Sequence, residues 1–101
     1  MKIEVIINAS SGDGNKQGLQ QRLAEVFMAT GLEARISMAQ TGSEVIALAQ
    51  RAARSEAETI VAGGGDGTIN SVASSIVGSD KALGVLPFGT MNHFAKALHI
   101  P

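Results

Sequence analysis

The chain has 101 residues, 45% hydrophobic and 17% charged, with a formal net charge of −1 at pH 7, as expected of one globular domain with a single core. The net charge is near zero, the chain has no basic run, and only three residues are aromatic. These features argue against a nucleic-acid-binding protein. The chain lacks cysteine and any apolar stretch near the roughly 20 residues of a membrane span, which predicts no disulfide, no transmembrane segment and a cytoplasmic location.

Short runs of apolar and β-branched residues predict four strands, at residues 3–7, 33–38, 59–62 and 82–86. Between the strands, apolar residues recur with helical spacing at residues 19–30, 45–52 and 69–77. Gly31 and Gly78 are predicted to end the first and third helices, and a fourth helix is predicted to begin near Thr90. This alternation predicts an α/β domain of three layers, with helices on both faces of a mainly parallel sheet.

Polar, glycine-rich loops follow the first, third and fourth predicted strands. They read NASSGDGN, GGGDGT and PFGTMN, and each combines glycine with serine, threonine or asparagine. In a parallel sheet the carboxyl ends of the strands share one edge, and ligands bind outside that edge. We therefore predict that the three loops lie side by side and form a binding site.

The loop GGGDGT, at residues 63–68, follows a predicted strand and opens a predicted helix. Backbone N–H groups at the start of a helix bind anions, and glycine permits positive φ and a bare nest of N–H groups. Four glycines supply that backbone: Gly63, Gly64, Gly65 and Gly67. Thr68 can hydrogen-bond a phosphate oxygen, while Asp66 can bind the accompanying metal or accept a proton. The alternative is a glycine turn in which Asp66 or Thr68 caps the helix.

The two neighbouring loops carry further candidates for a phosphate site. Asn8, Ser11 and Gly12 form either a phosphate or ribose clamp or a polar turn, and Thr90 caps the fourth helix, contacts the ligand, or both. The standard nucleotide fingerprints do not fit. No Gly-Lys pair supports a P-loop, and the pattern G-x-G-x-x-G fails where it could begin.

The motifs GGGDGT, LPFGTMNHFA and an N-terminal NxxSG resemble the catalytic domain of the diacylglycerol kinase family, which includes bacterial lipid kinases and sphingosine kinases. The resemblance covers essentially the whole chain. The short element GGDG is shared with NAD kinases and phosphofructokinases, whereas LP-x-GT-x-N-x-FA is specific to the lipid kinases. The resemblance implies the fold of the NAD kinase and phosphofructokinase N-terminal domain.

The same resemblance implies that ATP, with Mg²⁺, phosphorylates a hydroxyl of a lipid such as diacylglycerol. Three positions match the first nucleotide loop of the family: Asn8, Ser11 and Gly12. Its phosphate-binding turn matches Gly64, Gly65, Gly67 and Thr68, with Asp66 as the aspartate of that turn. Thr90 matches a threonine that helps to hold the nucleotide. Ala9 stands where the family usually has proline, which loosens the loop without removing a donor.

The resemblance also implies a two-domain protein. Residues 1–101 are then the nucleotide-binding domain, a fragment followed in the longer protein by a β-rich domain that closes the cleft. We expect the fragment by itself to be inactive or nearly so, and the longer protein to meet its lipid at the inner face of the membrane. Two alternatives stay open, namely a phosphotransferase for a soluble acceptor such as NAD, and a nucleotide-binding module without catalysis.

Overall fold

The computed structural model describes residues 2–9 and 16–87, where four strands alternate with three helices. The elements are β1 (Lys2–Asn8), α1 (Lys16–Ala29), β2 (Glu33–Ala39), α2 (Gly42–Ala53), β3 (Thr59–Gly64), α3 (Asp66–Ile76) and β4 (Ala82–Pro87). All four predicted strands and the first three predicted helices are confirmed. The helix predicted near Thr90 lies outside the described residues. No helix in the described ranges is long and apolar enough to cross a bilayer.

The four strands pair in the order β2-β1-β3-β4, and every pair is parallel, which confirms the predicted α/β fold. From β1 the chain continues to β2, at one edge of the sheet. From β3 it continues to β4, at the opposite edge. The point where the strand order reverses therefore lies between β1 and β3. In open parallel sheets, ligands bind at this switch point, beyond the carboxyl ends of the strands.

Helices cover both faces of the sheet and give the three predicted layers. Alternate residues of β1 face opposite cores, because successive side chains of a strand point to opposite faces. Val5 and Ile7 pack in the core on the α1 side, with Leu23, and Ile6 packs in the core beneath α2 and α3. Such burial on both faces explains why residues 5–7 of β1 form a continuous apolar run rather than an alternating one.

Glycine ends two of the helices, as predicted. Gly31 has a φ of 78° and Gly78 a φ of 85°, values that favour glycine. After α1, Leu32 N–H donates to Phe27 C=O at 3.1 Å and Gly31 N–H donates to Met28 C=O at 3.1 Å, which is the hydrogen-bond pattern of a Schellman motif. The predicted apolar face of the third helix is wrong at Val77, which lies beyond the end of α3 and is 81% exposed.

Lys81, just before β4, fixes the loop that follows α2. Its Nζ donates to the carbonyl oxygen of Ser55 at 2.8 Å and to that of Ala57 at 2.5 Å. A positive charge at the end of a helix also complements the helix dipole. We expect Lys81→Met to lower the free energy of unfolding by about 1–2 kcal/mol in urea denaturation. Lys2→Met is the matched control, because Lys2 makes an exposed ion pair and such pairs contribute little. Equal losses for the two variants would contradict this role of Lys81.

Candidate functional site

The predicted loops leave the sheet from neighbouring strand ends. β3 lies between β1 and β4, with Ile7 opposite Gly63 and Gly64 opposite Pro87. Asn8, Gly64 and Pro87 are the last residues of the three strands, so they lie along one edge of the sheet. Ser11, Gly12 and Thr90, the other predicted site residues on these loops, lie outside the described residues.

The turn between β3 and α3 consists of one residue, Gly65, which is the N-cap of α3 and has no side chain to cap it. Ile69 N–H donates to Gly65 C=O at 3.1 Å, which is the first hydrogen bond of the helix. The N–H groups of residues 66–68 precede that bond and have no partner within the helix. They lie at the positive end of the helix dipole, an arrangement that binds anions.

The glycines of this turn have different structural roles. Gly63 and Gly64 belong to β3, and of the four glycines only Gly64 has a positive φ, of 153°. A Cβ on Gly64 would also lie 2.9 Å from Thr68 Oγ1, so packing alone requires glycine there. A Cβ on Gly65 or Gly67 would meet nothing within 4 Å. The predicted nest of positive-φ glycines is therefore wrong, because only one of the four glycines has a positive φ. The N–H groups are those at the start of the helix. Gly65 and Gly67 leave the backbone beside them open.

Asp66 is the first residue of α3, and its side chain is exposed. The N-cap is Gly65, so the alternative in which Asp66 or Thr68 caps the helix is wrong. A carboxylate in the first turn still interacts favourably with the helix dipole. Within residues 2–9 and 16–87, no three carboxylate or imidazole side chains come together as a metal cage. A single exposed carboxylate suits magnesium that arrives already bound to phosphate oxygens.

A side-chain hydrogen bond crosses the switch point of the sheet. Asn8 Nδ2, at the end of β1, donates to Thr68 Oγ1, in the first turn of α3, at 3.0 Å. Thr68 is only 8% exposed, and its side chain packs closely against Gly64 at the end of β3. Both residues are predicted site residues, but the sequence does not predict the hydrogen bond between them. The signal was that both belong to motifs at adjacent strand ends.

A cavity of about 460 Å³ lies at the opposite edge of the sheet, among the first residues of β1 and β2 and the loop before β3. Sequence reasoning did not foresee it. Lys2 Nζ lies 2.5 Å from Glu56 Oε2, and this hydrogen bond raises the pKa of Lys2 and lowers the pKa of Glu56. Arg35, also in the lining, lies 3.8 Å from Glu4. Because carboxylates neutralise these cations, the cavity offers little free positive charge to an anion.

Comparison with known proteins gives one consistent relationship. The sequence model of the diacylglycerol kinase catalytic domain matches residues 2–101. A diacylglycerol kinase of Bacillus subtilis is 36% identical over 99% of this chain and 34% of its own length. A probable lipid kinase, YegS-like, of Klebsiella pneumoniae is 34% identical over 90% of this chain and 31% of its own. A diacylglycerol kinase of Staphylococcus carnosus is 32% identical over 99% of this chain and 33% of its own.

The chain thus spans about one third of the length of these curated relatives. The family match begins at Lys2, the first residue of β1, and includes every strand and helix described above. The loop motifs and the parallel sheet agree with it, and the chain belongs to the diacylglycerol kinase catalytic domain family.

Proposed function

We propose that this chain is the nucleotide-binding domain of an ATP-dependent lipid kinase, which transfers the γ-phosphate of ATP to a hydroxyl of a lipid such as diacylglycerol. The observation that carries the proposal is the turn between β3 and α3. It offers the N–H groups of residues 66–68 and the exposed carboxylate of Asp66 beside the switch point of the sheet. Family membership supports the kinase class and the lipid acceptor.

In this proposal the phosphates of ATP lie over the first turn of α3. The backbone N–H groups donate to phosphate oxygens, and the open sides of Gly65 and Gly67 let the phosphates approach the main chain. Binding through backbone groups agrees with a chain whose formal net charge is −1, since few basic side chains are needed. Ser11, Gly12 and Thr90 remain predicted nucleotide contacts from the neighbouring loops.

Phosphoryl transfer depends mainly on positioning and on neutralising charge. The acceptor hydroxyl loses its proton as its oxygen bonds to the γ-phosphorus, and the bond from that phosphorus to the bridging oxygen of ADP breaks. Asp66 carries the first of these N–H groups, and its carboxylate lies at the same turn. We assign it the removal of that proton. Its alternative role is as a ligand of magnesium, which when bound supplies positive charge to the phosphates. The second domain of the longer protein would supply the lipid-binding surface.

Gly67→Ala tests the site by changing binding and stability in opposite directions. The new methyl group meets no protein atom within 4 Å, but it lies where the phosphates are proposed to approach. We expect isothermal titration calorimetry with magnesium and ATP to show affinity reduced about tenfold. Alanine is a better helix former than glycine, so urea denaturation should show stability raised by about 0.5 kcal/mol.

The same titration decides the proposed function. If the unsubstituted chain does not bind ATP, the proposed nucleotide site is wrong, and if Gly67→Ala binds ATP as tightly, the phosphates do not lie over α3. An assay of the longer protein with ATP and either diacylglycerol vesicles or NAD identifies the acceptor. Phosphate transfer to NAD alone would overturn the lipid kinase in favour of a kinase with a soluble acceptor.

A further inference from the structure

We infer that Asn8 is a positioning residue, which acts on the nucleotide through the Thr68 hydroxyl rather than by touching the nucleotide. This inference rests on the proposed function, because it assigns a role within the same site. Its starting point is the hydrogen bond from Asn8 Nδ2 to Thr68 Oγ1, at 3.0 Å. The two residues are 60 positions apart in the sequence and belong to elements on either side of the switch point.

The direction of this bond determines what the Thr68 hydroxyl can do. A hydroxyl has one hydrogen to donate and two lone pairs that accept. The amide nitrogen of Asn8 can only donate, so it occupies a lone pair of Thr68 Oγ1 and leaves the hydroxyl hydrogen for a different acceptor. Accepting one hydrogen bond also polarises the hydroxyl and makes it a better donor. A phosphate oxygen over the first turn of α3 is such an acceptor.

The Thr68 side chain has little free space around it. Thr68 is 8% exposed, and its Oγ1 lies 2.9 Å from the point where a Cβ on Gly64 would be. Threonine is β-branched and has few allowed side-chain rotamers in a helix. Asn8 from β1 and the bare Gly64 from β3 therefore hold the Thr68 side chain from two strands. Asn8 holds the Thr68 hydroxyl by a hydrogen bond, and the missing Cβ of Gly64 leaves space for the Thr68 side chain.

A double-mutant cycle separates positioning from direct contact. The chain is prepared unsubstituted, as Asn8→Ala, as Thr68→Val and with both substitutions, and its dissociation constant for ATP with magnesium is measured by calorimetry. We expect each single substitution to weaken binding about five- to tenfold, equivalent to one hydrogen bond. We expect the double variant to bind no more weakly than Thr68→Val, since Asn8 has no hydroxyl to position once Thr68 is valine.

Two further variants and a charge control keep the test independent of folding. Thr68→Ser retains the hydroxyl and should bind within about twofold of the unsubstituted chain, a rescue that a purely structural role of the threonine methyl group would not give. Asn8→Asp retains the shape, but its carboxylate accepts the Thr68 hydrogen and adds negative charge, so it should weaken binding more than Asn8→Ala. Gln50→Glu is the matched control for an added charge, on the exposed side of α2, and should leave binding unchanged.

The outcomes distinguish this inference from the function on which it rests. If the unsubstituted chain binds no ATP, the proposed function and the positioning role are both wrong. If it binds ATP and the two substitutions multiply in their effects, Asn8 contacts the nucleotide directly, and only the positioning role is wrong. If Asn8→Ala binds as tightly as the unsubstituted chain, Asn8 has neither role.

Discussion

Asp66→Asn is expected to lower the kcat of the proposed two-domain kinase about 10²–10⁴-fold, the usual contribution of a general base. The side chain is exposed and lies at the start of α3, and it caps no helix. Its removal should therefore leave the fold intact, apart from a loss of about 0.3–1 kcal/mol of interaction with the helix dipole. The measurement is phosphate transfer from labelled ATP to diacylglycerol vesicles at saturating substrate.

Further measurements on the same variant separate the two chemical roles of Asp66. If Asp66 accepts the proton, raising the magnesium concentration does not restore the activity of Asp66→Asn. If Asp66 binds magnesium, raising the magnesium concentration restores part of the activity. Asp80→Asn is the matched control, because Asp80 is an exposed carboxylate before β4, on the amino edge of the sheet. Equal activity of Asp66→Asn and Asp80→Asn would refute the catalytic assignment.

Gly64→Ala is expected to lower the free energy of unfolding by about 2–3 kcal/mol, which would make it the most destabilising single change proposed for this chain. Two effects add at this position. The φ of 153° is one that residues with a Cβ rarely adopt, and the new methyl group would lie 2.9 Å from Thr68 Oγ1 and 3.0 Å from Thr68 Cβ. Urea denaturation followed by circular dichroism measures the loss.

Gly65→Ala is the control, because it makes the same chemical change at the next residue. Gly65 has a φ of −85°, which alanine adopts readily, and no atom lies within 4 Å of its added Cβ. We expect its stability to change by no more than about 0.5 kcal/mol. Similar losses for the two variants would mean that neither the φ of Gly64 nor its contact with Thr68 matters to the fold.

The number, type and order of the elements could be predicted because each strand and helix carries its own hydrophobic period. The boundaries were less predictable where backbone pairing continues without apolar side chains. The apolar run of β3 stops at Ala62, yet the strand continues through Gly63 and Gly64, which pair with β1 and β4. Ladder hydrogen bonds belong to the backbone, so a pattern of side chains does not report where they end.

Less of the site could be predicted, for a different physical reason. The motif GGGDGT identifies the turn, but three consecutive glycines look alike in sequence and have separate roles in the structure. Gly64 is required by its φ and by Thr68, whereas Gly65 leaves the backbone open. The hydrogen bond between Asn8 and Thr68 depends on β1 lying beside β3, and the strand order follows from the packing of the whole sheet.

The contact between Asn8 and Thr68 also bears on how this site could arise or be rebuilt. The strand that carries Asn8 belongs to the first β-α unit and the helix that carries Thr68 belongs to the third, so no single contiguous segment contains the pair. Grafting the glycine-rich turn alone onto another parallel sheet would transfer its N–H groups but not the orientation of its hydroxyl. The unit that would have to be transferred is the pair of adjacent strand ends. A substitution at position 8 changes the hydrogen bonding of the side chain at position 68, so the two positions have to change together.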